Sequence, residues 1–193
     1  MQAGLTTPEG GFTADVSSVL GRSFEMYLST VGKELDITGA DVIQYSLGAA
    51  GQRGVKSDFQ TIFPDLAGSP VTIGGTWTTT DTIDVDESGM VLKIASESLN
   101  TFEALESLNG IECARIRTTT TGTIVGEGEQ QGALAKIDTQ TEGTGLWYFD
   151  HQSGMLAKWI SDLSIKGTVT VGGAQGMQIP MNEQMKTETS LVR

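Results

Sequence analysis

The residues equipped for chemistry are few and far apart. His151 is the only histidine, and Asp150 and Asp162 lie near enough in sequence to complete a Ser–His–Asp arrangement around it. No Gly-x-Ser-x-Gly elbow accompanies them, and His151 falls in a turn sequence, so a solvated turn side chain is the simpler reading. Cys113, the one cysteine, alternates with Ile111 and reads as a small buried hydrophobe in a strand. Arg115, two residues on and on the same strand face, is the only nearby group able to favour its thiolate. With one histidine and one cysteine, zinc sites built on several such ligands are unavailable.

Carboxylates are plentiful. Asp84-Val85-Asp86-Glu87-Ser88-Gly89 resembles the start of a calcium loop, with oxygen ligands at alternate positions and a glycine at the sixth. The twelfth position is Ala95, where a bidentate glutamate is required. Ile83 and Val85 before it, with Met90, Leu92 and Ile94 after it, describe a solvated hairpin turn instead. Gly126-Glu127-Gly128-Glu129-Gln130-Gln131-Gly132 reads as a polar loop, and it is no phosphate cradle: it lacks a P-loop lysine, and its glutamates repel phosphate. Acids paired at glycosidase spacing form a third class of site that sequence cannot resolve. The expectation is therefore no catalytic residue, no metal ligand and no cofactor.

The elements that would have to position any site are strands. Residues 146–160 hold two of the three tryptophans and read as a central hairpin. Asp150 can close its loop by accepting backbone N–H groups, and Gly154 can take the left-handed conformation that ends a four-residue turn. This loop pairs Asp150 with Met155, Phe149 with Leu156, Tyr148 with Ala157, Trp147 with Lys158 and Leu146 with Trp159. Leu146, Tyr148 and Trp159 then share one face, and Trp147, Phe149, Leu156 and Ile160 the other. Both faces are apolar, so both need cover.

Around it, residues 24–39 read as a hairpin with a Val31-Gly32 turn, pairing Leu28 with Leu35 and Met26 with Ile37. Residues 41–47, capped by Asp41, and 57–63, capped by Ser57 and stopped before Pro64, carry the only helix signals. A hairpin spans 82–95. Another spans 99–125, where a two-residue Asn109-Gly110 turn (Phe102 opposite Arg117, Ala104 opposite Arg115) competes with a three-residue turn. The latter, preferred, sets Phe102 opposite Ile116, Ala104 opposite Ala114, Leu105 opposite Cys113 and Glu103 opposite Arg115. Leu163, Ile165, Val169 and Val171 share one face of a long return strand. Met177, Ile179, Met181, Met185 and Leu191 share one parity of the last. Consecutive long hairpins predict a mainly β fold: a curved antiparallel meander, half-barrel or barrel-like, packed with one or two short helices. Length predicts one domain over residues 1–193, with 1–11 a flexible end or a short first strand.

A net charge of −12 argues against binding nucleic acid or an anionic membrane surface. No apolar run reaches the roughly 20 residues of a transmembrane helix. Met1-Gln2-Ala3-Gly4-Leu5 does not begin a signal peptide, which leaves a cytosolic protein or one whose leader lies upstream.

Phe63-Pro64-Asp65-Leu66 followed by Pro70-Val71-Thr72-Ile73-Gly74-Gly75-Thr76-Trp77 resembles a signature of uncharacterised bacterial envelope proteins. Asn109-Gly110-Ile111-Glu112-Cys113-Ala114 and Trp147-Tyr148-Phe149-Asp150 with Gly154 extend the resemblance, which covers residues 24–193. It implies an extracytoplasmic protein, periplasmic or at the cell surface, with a curved sheet similar to that of lipoprotein-carrier proteins. The lipid-attachment cysteine of that group has no counterpart, and no catalytic residues carry over. Joined to the aromatic hairpin and the methionines, it implies a non-enzymatic domain holding a hydrophobic, lipid-like ligand. The expected contacts are Trp147, Phe149, Trp159, Met177, Met181 and Met185. The alternatives are a structural or protein-interaction module of the envelope, and a carboxylate-based glycan hydrolase.

Overall fold

Alternation of apolar and polar residues sets in at Thr76 and governs the rest of the chain. The computed structural model describes residues 3–7, 10–15, 17–46, 52–60, 63, 65–87, 89–130, 132–172 and 176–190. The chain divides into two compact units, residues 1–66 with 86–89 and residues 67–85 with 90–193.

Among the described residues, the smaller unit holds three short antiparallel strand pairs and one helical turn. β1 (Ala3–Thr7) pairs with β2 (Gly10–Ala14), β3 (Glu25–Leu28) with β4 (Glu34–Thr38), and β5 (Gln44–Ser46) with β6 (Gln52–Gly54), which runs into α1 (Val55–Phe59). The β3–β4 turn is longer than the expected Val31-Gly32 pair. Ser29 N–H donates to Lys33 O at 2.8 Å and Gly32, at φ +85°, donates to Ser29 O at 3.0 Å. This is a three-residue loop with its glycine in the left-handed position, which relieves Val31 of a conformation it resists. Met26 opposes Ile37 and Tyr27 opposes Asp36 as expected, but the extra loop residue sets Leu28 against Glu34 and leaves Leu35 67 % exposed. Ile37, Ala40, Ile43 and Val55 are buried, and Phe24 meets Phe59 edge-on at 4.8 Å.

The helix expected over 41–47 is a turn followed by β5. Asp41 does not cap it; its carboxylate takes Lys56 Nζ at 2.8 Å, while Tyr45 and Ser46 pair with Arg53 and Gln52. Leu47 lies outside the described residues. The second helix starts earlier than Ser57, at Val55, behind an extended Gly54, and Ser57 Oγ donates back to Gly54 O at 2.9 Å. Thr61, Ile62 and Pro64 fall outside the described residues.

The larger unit is one antiparallel meander: β7 (Thr76–Glu87), β8 (Met90–Leu108), β9 (Ile111–Gln130), β10 (Ala133–Asp150), β11 (Met155–Val171) and β12 (Met177–Ser190). Its strand order is β12-β11-β10-β9-β8-β7, so β7 and β12 are edges and the sheet does not close into a barrel. At about 3.3 Å per residue the longest strand extends roughly 65 Å. Residues 126–130, expected in a loop, continue β9. Gly126 and Gly128 pair with Ile137 and Ala135 on one side and with Leu92 and Met90 on the other, so the polar run is a strand with its glutamates outward.

Two bulges set the side-chain faces. Between β8 and β9, Asn109 (φ +53°) and Gly110 (φ +84°) form the two-residue turn, which pairs Leu108 with Ile111, Glu106 with Cys113 and Ala104 with Arg115. A bulge at Glu103 then restores Phe102 to Ile116. Each competing register therefore holds over part of the hairpin. Between β10 and β11 the loop closes as expected: Asp150 Oδ1 accepts from Gln152 N–H and Ser153 N–H at 3.1 Å, and Gly154 (φ +71°) donates to Asp150 O at 2.9 Å. A bulge at Ala157 follows, so Tyr148 opposes Lys158, Trp147 opposes Trp159 and Leu146 opposes Ile160. Trp159 thus joins the Trp147 face and Ile160 leaves it, reversing the faces expected for both.

Candidate functional site

The registers gather one set of residues on a single face, here called inner: Trp77 and Thr79 on β7, Asn100 and Phe102 on β8, Ile116 and Thr118 on β9, and Trp147 and Phe149 on β10. Trp159, Leu163, Ile165, Val169 and Val171 on β11 continue it, as do Met177, Ile179, Met181 and Met185 on β12. The sheet curls towards this face, as its glycines show. A Cβ on Gly122 would lie 2.4 Å from Ala95 O, on Gly126 2.3 Å from Val91 O, and on Gly167 2.2 Å from Asp138 O. Side chains at these inner positions would push neighbouring strands apart; glycine lets the backbones close in.

Trp77 enters the inner face through the Pro70–Trp77 segment. Gly75 N–H donates to Thr72 O at 2.8 Å across a tight turn with Gly74 at φ +86°, the backbone a type II turn requires of its third residue. Gly74 N–H then donates to Phe102 O at 2.7 Å, and Phe102 N–H to Gly75 O at 3.0 Å. The strand so started sets Trp77 edge-on to Trp147, with ring centres 6.2 Å apart; Phe149 packs on the same indole at 6.5 Å. Trp147 is completely buried.

Its indole N–H starts a relay across four strands. Trp147 Nε1 donates to Thr118 Oγ1 at 2.9 Å, Thr118 Oγ1 to Asn100 Oδ1 at 2.6 Å, and Asn100 Nδ2 to Thr79 Oγ1 at 3.4 Å. Asn100 and Thr118 are 2 % and 5 % exposed, so each bond replaces water that cannot reach the group. Sequence reasoning passed over both residues. The signal was there: Asn100 and Thr118 hold inner-face parity among Ile94, Phe102, Ile116 and Ile124, where a polar side chain needs a partner. Further along, Ser98 Oγ and Thr120 Oγ1 lie 2.8 Å apart and Thr139 Oγ1 donates to Ile124 O at 3.2 Å, giving the middle of the face a hydroxyl-rich belt.

The six expected ligand contacts all lie on the inner face, but in different environments. Trp147 is sealed in and its N–H is taken. Phe149 and Trp159 are half-buried, with Trp159 Nε1 lying over Gly145, 4.0 Å from where a Cβ would stand. Met181 is half-buried; Met177 and Met185 are 66 % and 43 % exposed, and Ile179 between them 41 %. With half-buried Leu163, Ile165, Val169 and Val171, they form an apolar strip two strands wide at the open β12 edge.

The outer face bears most of the charge. Glu103, brought out by its bulge, contacts Arg115 Nε at 3.2 Å and accepts from Arg117, while Arg115 Nη1 donates to Glu106 at 2.7 Å. The Arg117 hydrogen bond holds the Glu103 carboxyl below its usual range against the opposing effect of burial. On β11 and β12, Lys158 meets Glu188 at 2.8 Å, and Asp162 takes Gln184 Nε2 at 2.8 Å and Lys186 Nζ at 3.4 Å. The Gln184 bond, ahead of Lys186, lowers the Asp162 carboxyl. Towards the hairpin tips this face is covered as well: Cys113 is completely buried and Asp150 4 % exposed. His151, at a turn tip and 41 % exposed at its side chain, has Glu112 at 3.7 Å. Asp84 and Asp86 are exposed, and no cluster of three or more metal-ligating side chains occurs among the described residues. No helix among them is long and apolar enough to cross a membrane.

Compared with protein-family models, with curated proteins and with solved structures, the chain matches none.

Proposed function

We propose that the larger unit is a non-enzymatic binding domain that holds an apolar, lipid-like ligand on the inner face along β11 and β12, outside the cytoplasm. One observation carries the reading. The Leu163–Ile165–Val169–Val171 row and the Met177–Ile179–Met181–Met185 row lie side by side on the face towards which the sheet curls, and the outer row stays largely open to solvent. Methionines suit such a surface because unbranched, polarizable side chains repack around ligands of different shape. The extracytoplasmic placement rests on the resemblance to envelope proteins. Organic extraction of the purified protein followed by mass spectrometry should recover a lipid in near-stoichiometric amount. Repeated blank extracts, with no rise in Tm on adding alkyl-chain compounds, would contradict it.

The sealed Trp147 favours a second reading, in which the sheet is a scaffold for a protein partner and binds no small ligand. Its aromatic cluster is filled by its own side chains, and its indole N–H is satisfied internally. This reading expects a partner captured by cross-linking through the outer face, with Met181 and Met185 substitutions silent.

A further inference from the structure

The inner strip contains one charge, and it is unpaired. Glu183 lies between Met181 and Met185 on β12 and opposite Ile165 on β11. It is exposed, and among the described residues its carboxylate has no ion pair or hydrogen bond. The outward charges of the same strand differ: Lys186 has Asp162 at 3.4 Å and Glu188 has Lys158 at 2.8 Å. Elsewhere among the described inner-face side chains the charges are Asp81, on the opposite edge strand, and Glu112, at the tip of the β8–β9 hairpin beside His151.

We infer that the ligand of the strip is a cationic amphiphile, an alkyl chain bearing a positive head that rests on Glu183. The inference rests on the ligand reading above and names its chemical class. A chain lying along Met177–Met185 must pass the Glu183 carboxylate. A neutral ligand strips water from that group and returns nothing, and an anionic head adds repulsion. A cationic head replaces the lost hydration with an ion pair formed at a partly apolar surface, so one carboxylate both attracts one ligand class and rejects another. The competing role for an inward charge on an edge strand is to block sheet-to-sheet aggregation.

The full-length chain is titrated with dodecyltrimethylammonium, dodecanol and dodecanoate, each below its micelle concentration, followed by tryptophan fluorescence and calorimetry. Wild type should bind the ammonium probe roughly three- to ten-fold more tightly than the alcohol, the range of a partly exposed ion pair, and dodecanoate most weakly. Glu183→Gln should level the three affinities. Glu188→Gln, the same charge change on the outer face, should preserve their order, which separates the local carboxylate from the net charge. Equal affinities in wild type, or the same levelling in Glu188→Gln, would overturn the inference while leaving an apolar site in place. Aggregation of Glu183→Gln with the order of affinities unchanged would also overturn it, in favour of edge protection. Failure of all three probes to bind would remove the ligand reading itself.

Discussion

Thr118 is the residue through which the buried polar relay passes, accepting from Trp147 and donating to Asn100. Replacing it with valine keeps the shape and strands two buried groups, each costing about 1–3 kcal/mol. Thr118→Val should therefore lose about 2–6 kcal/mol in urea unfolding, through a lower midpoint at unchanged slope. Thr118→Ser, which keeps the hydroxyl, should lose far less. Glu103 makes a pH prediction at the same scale. Its folded carboxyl is held below the ordinary 4.5, first by the Arg117 hydrogen bond. A carboxyl depressed by folding contributes stability that is complete above the unfolded value and is lost as pH falls through the folded one. The Tm advantage of wild type over Glu103→Gln should stay constant above pH 4.5 and shrink below it. A constant advantage down to strong acid would show that the cluster does not hold the charge. At this scale the sequence was partly legible. Asp150 and Gly154 announced their loop because turn chemistry is local. The Asn100–Thr118 relay did not, because it depends on which strands become neighbours.

Among the elements, strand identity was easier to read than strand facing. Alternation located strands within β8 to β12, although it ended β9 five residues early at Val125, and single extra residues at Glu103 and Ala157 decide which side chains meet. A bulge leaves no mark in local propensity; it reflects the whole sheet finding the register that buries most apolar surface. At Ala157 the gain is visible, since the shift brings Trp159 beside Trp147. The 41–47 helix signal failed for a related reason: three residues of strand pairing outweighed the cap at Asp41. The glycines in the β9 and β11 interiors, readable as loop or turn material, are bend points. Gly167→Ala places a methyl in space held by Asp138 O and Thr139 Cα, at 2.2 and 2.5 Å. It should cost about 1–3 kcal/mol, as overpacking does, or flatten the sheet locally. Gly132→Ala, at a turn with open space around it but φ +80°, tests strain without crowding. Hydrogen exchange across 136–140 and 165–169 should accelerate in the first variant and not in the second.

On the scale of the whole molecule, the larger unit separates its chemistry by face: most of its charge outside, aromatic, hydroxyl-bearing and apolar side chains inside. Period-two alternation carried this division in the sequence, which is why the shared face of Leu163, Ile165, Val169 and Val171 could be read in advance. Which apolar residues stay accessible could not be read, because accessibility follows from sheet order. β10 is interior and its Trp147 is sealed; β12 is an edge and its methionines are open. The central claim is that this open inner strip contacts an alkyl chain, and a bromine-labelled chain tests it directly, because bromine quenches only an indole it touches. Titrating the protein with terminally brominated dodecyltrimethylammonium should give saturable quenching that is largely lost in Trp159→Phe, since Trp159 borders the strip whereas Trp147 is buried. Quenching that never saturates, or that is undiminished in Trp159→Phe, would contradict the account.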